Sequence, residues 1–151
     1  MIRLAFDGET IMSSENILER IKQACAPLES HFAFQVVDEP KHPMYVGIIL
    51  RNNALQVEAS MDAYAYSLSI GDAAGISDRV RISIVRMLIL NEKDEKALPI
   101  EESVQFLIEH YSKIADLFSR ERVRSTMKKL DALMEQEADK MLNEDSSDPE
   151  L

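Results

Sequence analysis

The chain has 151 residues, of which 46% are hydrophobic and 29% charged, and a formal net charge of −10. That length and balance fit one domain, or one domain with an appendage, able to bury a core without disulfide staples. The acidity argues against nucleic acid as a ligand, because phosphate binding needs clustered Lys and Arg, and no apolar run reaches the roughly 20 residues of a membrane span.

At the start, Ile2, Leu4 and Phe6 alternate and leave room for a short N-terminal strand, with Asp7-Gly8 as a turn. Ser13 and Ser14 are suited to cap a helix over about 15–27, whose apolar positions Ile17, Ile21, Cys25 and Leu28 recur at helical spacing and which Pro27 is expected to end. His31 to Val37 reads as the first strand of a sheet, with Phe32, Phe34 and Val36 on one face, closed by the loop Asp38 to Pro43 with its two prolines.

Residues 44–71 alternate at the period of a strand three times over: Val46, Ile48 and Leu50; Leu55, Val57, Ala59 and Met61; Tyr64, Tyr66, Leu68 and Ile70. Asn52-Asn53 and Met61 to Ala63 are the reversals between them. The expected fold class is therefore α+β: an antiparallel four-stranded meander covered by helices. Its wet face would carry Gln56, Glu58, Ser67 and Ser69.

Gly71 to Ser77 reads as a loop. Residues 79–90 hold both patterns, alternation at Val80, Ile82 and Ile84 and helical spacing from Ile84 to Ile89; helix is the preferred reading because the apolar end is dense. Pro99 suits the first turn of a helix whose stripe runs Ile100, Val104, Leu107, Ile108, Tyr111, Ile114 and Phe118, the main cover of the sheet. Ser119 is placed to cap a last, protruding helix to about Leu142. The chain divides accordingly into a globular part over 1–118, a C-terminal helix over 119–142 and a disordered acidic tail over 143–151.

That last helix has an unusual charge order. Arg120, Arg122, Arg124, Lys128 and Lys129 crowd its start, while Asp131, Glu135, Glu137, Asp139 and Glu144 crowd its end, the reverse of what the helix dipole favours. An antiparallel twin satisfies it, through a seam of Val123, Met127, Leu130, Met134 and Met141 in a homodimer; folding back onto the chain's own domain, or standing as a solvated arm, is the alternative.

No constellation of catalytic residues emerges. His31, His42 and His110 stand in separate elements, one cysteine excludes the common structural zinc sites, and Gly71 to Gly75 lacks the lysine of a phosphate loop. Neither a cofactor nor a metal is expected. Cys25 reads as a buried structural thiol, and with no apolar leader over Met1 to Asp7 the expected compartment is the cytoplasm.

Phe106-Leu107, Tyr111, Ile114, Leu117-Phe118-Ser119 and Thr126 to Leu130 resemble the ending of small bacterial α+β proteins of the immunity-protein type. The resemblance implies a protein that neutralises a partner toxin; it carries over no functional residue. With the acidity, it leads to an expected function as a non-enzymatic binder of a basic partner protein, through Asp38, Glu39 and His42 of one loop and Glu135 and Asp139 of the last helix. A small-ligand or adaptor module using the sheet–helix crevice, and an enzyme of unfamiliar type, are the alternatives.

Overall fold

The computed structural model describes residues 3–6, 10–62 and 65–146. The expected turn at Asp7-Gly8, the reversal at Ala63, Ile2, Tyr64 and the tail from 147 onward lie outside them. In chain order the elements are β1 (Arg3–Phe6), β2 (Thr10–Ser13), α1 (Ser14–Phe32), β3 (Gln35–Asp38), β4 (Lys41–His42), β5 (Tyr45–Arg51), β6 (Leu55–Asp62), β7 (Ala65–Asp72), β8 (Val80–Arg81), α2 (Ile82–Leu90), α3 (Ile100–Glu109), α4 (Tyr111–Leu117) and α5 (Val123–Ser146).

The main sheet is antiparallel with the order β3-β5-β6-β7-β8, and β4 pairs beside β3 along the same edge of β5. Its register aligns Ile48, Ala59 and Leu68 in one row and Leu50, Val57 and Ile70 in the next. All six are 2% exposed or less, so the alternation read from sequence sets the core face of the meander. β1 and β2 form a separate hairpin that meets the fold through α1.

Helices cover the core face. α1 packs on β5 and β6, α3 on α1 and β7, and α2 on β7 and β8; α5 lies on α2 as an outer layer. Asn52 links the sheet to this roof. Its side-chain oxygen accepts the amides of Ala54 and Leu55 at 2.9 and 2.8 Å, fixing the β5–β6 turn, while its amide donates to the Phe32 carbonyl and the Tyr111 hydroxyl.

Several expectations are corrected. α1 does not stop at Pro27 but runs through it to Phe32. Pro27 leaves the Gln23 carbonyl without its helical donor, yet one more turn brings Leu28 to complete burial, and the Pro27 carbonyl accepts from His31 Nδ1 at 2.9 Å. The helix ends instead on Ala33 in the left-handed region (φ 57°). The first sheet strand therefore begins at Gln35. Phe32 belongs to the helix, stacked on Tyr111 with ring centroids 3.9 Å apart, and Phe34 meets the same ring edge-on.

Residues 80–90 resolve both readings in turn, since β8 takes Val80 and Arg81 and α2 takes the rest. The stripe from Ile100 to Phe118 spans two helices, broken at His110 (φ −113°, ψ 20°), whose ring packs on Phe106. Finally, α5 begins at Val123, where the Ser119 carbonyl receives the Val123 amide at 2.8 Å, and it stays helical to Ser146, into the stretch expected to be disordered. Extending a formed helix by a residue costs little beside starting one.

Candidate functional site

The face of the sheet opposite the helices stays half-exposed, and its side chains form a connected polar cluster. Gly47, Ser60 and Ser67 lie in one row across it, and Ile49, Glu58, Ser69 and Arg81 in the next. Tyr45 extends along β5 over Gly47 and donates its hydroxyl to Glu58. Glu58 also accepts from Arg79 Nε at 3.2 Å, and Arg79 reaches Gln56 at 2.6 Å. Burial, then the Glu58 hydrogen bond and charge, push the Tyr45 phenol from 10.0 up to about 12. At neutral pH the phenol is thus a fixed donor, and Glu58 is balanced by Arg79.

A second cluster ties the 91–99 loop to α2 and α5. Glu95 accepts Arg81 through both carboxylate oxygens, at 2.7 and 3.0 Å, and also accepts the Ser83 hydroxyl in the first turn of α2. These bonds hold its carboxyl below the ordinary range, with the Arg81 bond as the largest cause. The Glu95 amide donates to Glu137 of α5 at 2.9 Å, and Lys140 bridges Glu137 and Asp94. Only the turns of α5 beyond Lys140 project past these ties.

The residues singled out for partner binding fall in two places. Asp38, Glu39 and His42 lie at the β3/β4 edge, where Asp38 accepts the Glu39 amide, Glu39 pairs with Lys22 at 3.2 Å and the His42 ring leans on Tyr45. Glu135 and Asp139 are exposed on α5, which sits on α2 towards the β7–β8 side. The sheet separates the two groups by four strand spacings, roughly 19 Å.

The proposed seam of α5 also divides. Val123 and Leu130 are completely buried, Met127 and Met134 pack against the same core, and Met141 is 67% exposed. Thr126 helps seat the helix by donating to the Leu117 carbonyl at 2.6 Å. A twin-helix contact running the length of this seam is corrected accordingly, because its first half is the chain's own core.

Shallow surface grooves open among the described residues. One of about 480 Å³ lies between α5 and the loop after β7, lined by Ile76, Ser77, Val123, Arg124, Met127, Lys128 and Asp131. One of about 200 Å³ opens beside Tyr66, Arg81 and Glu95 at the sheet–helix margin. Cys25 is 1% exposed, and burial raises its thiol to about 12, which removes thiolate chemistry at neutral pH. No group of His, Cys, Asp and Glu suited to hold a metal occurs among the described residues, and none of their helices is long and apolar enough to cross a membrane.

Tyr45 and Arg79 escaped the sequence reading. An aromatic two residues before a glycine on one strand face was a usable signal for Tyr45. Arg79 carried none, since its place depends on β8 pairing with β7. No family model, curated protein or solved structure matches the chain.

Proposed function

We propose that the protein is a non-enzymatic binding module that holds a basic partner protein, as an immunity-type neutraliser does. One observation carries this reading. Met141 and Leu142, 67% and 64% exposed, are the most exposed large apolar residues described, and they stand on a helix end with Glu135 and Asp139, which make no ion pair among the described residues. Two exposed apolar side chains, with Asp139 and Glu135 one and two turns before Leu142, complement a surface with an apolar notch flanked by Lys and Arg. The apolar contact supplies affinity, and the charge speeds encounter and rejects acidic competitors. The same reading places the protein in the cytoplasm, where Cys25 stays reduced.

Native capture from cells of the source tests it. The wild type should retain one dominant basic protein, released by salt. Glu135→Lys with Asp139→Lys should abolish retention, and Met141→Ser with Leu142→Ser should weaken it at every salt concentration. Retention of an acidic protein, or capture indifferent to both pairs of substitutions, would refute the reading.

A further inference from the structure

A line of side chains runs down one face of α5 away from its buried side: Arg124, Lys128, Asp131, Glu135, Ala138 and Leu142, spaced by four and three residues in turn. This spacing keeps them on one face. The line begins in a basic segment and ends in an acidic one. Residues 119–130 carry five cations against one anion, and residues 131–151 one cation against eight anions. Neither Arg124 nor Lys128 has an ion-pair partner among the described residues, and neither do Glu135 and Asp139.

The basic half of this line forms one wall of the 480 Å³ groove. Its floor is apolar, with Met127 over the buried Val123 and with Ile76, which is 44% exposed. What fits such a groove is a helix with an apolar residue at its centre and carboxylates beside it. The acidic end of α5 is that helix.

We infer that this groove receives the acidic end of α5 from a second copy of the chain, in an antiparallel two-fold dimer. Arg124 and Leu142 are about five whole turns apart, roughly 27 Å along the axis, so pairing about a centre near Leu133 engages both ends at once. Leu142 of the second copy then lies over Ile76 and Met127, beside Arg124. Asp139 and Glu135 of the second copy flank Lys128. The contact repeats by symmetry and closes, as an isologous interface must. Asp131 faces the second copy's Glu135 near the axis, and each of these carboxylates lies within one turn of a Lys128, so the centre is a mixed-charge network. Val123 and Leu130 stay in their own core throughout, which distinguishes this face from the α5 seam. The dimer uses the acidic turns that the proposed partner also uses, so the two complexes exclude one another.

Sedimentation velocity of the full chain, from micromolar to near-millimolar, tests the inference. The wild type should show a reversible monomer–dimer equilibrium that weakens with salt. Arg124→Glu with Lys128→Glu should weaken the dimer at least about a hundredfold, since each reversal turns an attraction into a repulsion on both sides of the axis. Both side chains face solvent, so thermal stability should hold. Adding Glu135→Lys and Asp139→Lys to that variant should restore the dimer. A wild type monomeric throughout, or a dimer indifferent to the reversal, would overturn the inference. The reversal leaves the acidic turns intact, so capture of a basic partner by the monomeric Arg124→Glu, Lys128→Glu variant separates the two readings.

Discussion

Gly47 lies buried in β5, beneath the Tyr45 ring, and replacing it with alanine tests how the open face is built. A Cβ there would stand 3.0 Å from the Ala59 carbonyl oxygen, 3.0 Å from Ser60 Cβ and 3.0 Å from the Tyr45 hydroxyl. Two effects oppose one another. Alanine suits a strand better and narrows the unfolded ensemble, a gain of about 0.5–1 kcal/mol. Against this, the contacts with Ala59 and Ser60 are relieved only by moving β5 from β6, and overpacking of that kind costs about 1–3 kcal/mol. The third contact drives the phenol off Glu58, and a hydrogen bond to a charged acceptor is worth about 1.5–3 kcal/mol, partly recovered here because the half-buried group reaches water. The variant should be less stable by about 1–3 kcal/mol in urea denaturation. Spectrophotometric titration supplies the second readout. Tyr45 ionises near 12 in the folded protein against 10.0 ordinarily, so its contribution to stability is complete below pH 10.0 and lost as pH rises through 12. In Gly47→Ala that tyrosine should titrate closer to 10.0, and the alkaline loss of stability should flatten. An alanine variant as stable as the wild type with unaltered tyrosine titration would refute the role given to Gly47.

Leu130→Ala should cost about 2–5 kcal/mol in thermal or urea unfolding, because the side chain is completely buried. Met141→Ala on the same helix should stay within about 0.5 kcal/mol, and equal effects would contradict the division of α5. Glu95→Gln should destabilise by about 1–2 kcal/mol through the weakened Arg81 and Ser83 bonds. Because the folded Glu95 carboxyl lies below its ordinary 4.5, its contribution is present above that value and lost as pH falls through the folded one, so variant and wild type should converge in acid. Cys25 should resist a thiol reagent in the native state and react at a rate that follows opening in added urea; prompt stoichiometric labelling without denaturant would contradict its burial.

The parts legible in the sequence are those governed by a single local period. Leu55, Val57, Ala59 and Met61 alternate without interruption, and each is 1% exposed or less. Ile100, Val104, Leu107 and Ile114 keep helical spacing and are 2% exposed or less, although the helix breaks between them at His110. Where two local rules disagree, tertiary contact decides. Pro27 argues for a helix end and Leu28 for another turn, and the buried leucine prevails. Val80 and Arg81 pair with β7 because β7 is there to receive them, a circumstance absent from residues 79–90 themselves.

The candidate surfaces were less legible, because each depends on elements distant in the chain. Glu58 belongs to the wet face by alternation alone, yet its partners Tyr45 and Arg79 stand 13 and 21 positions away and meet it only through the register of three strands. The charge order of α5 was visible at once, but two arrangements satisfy it, and only the fold shows which face of the helix the chain's own core takes. Val123 and Leu130 turn inward onto the chain's own core, which leaves Arg124, Lys128, Glu135 and Leu142 facing outward. A reversed charge order opposes the helix dipole and is offset here in part by Asp116 beside Arg122 and by Lys140 beside Asp94 and Glu137. Arg124 and Lys128 receive no such compensation among the described residues. Two uncompensated cations beside an apolar groove therefore point to a contact made outside the chain, where opposite charge is available at the far end of an identical helix.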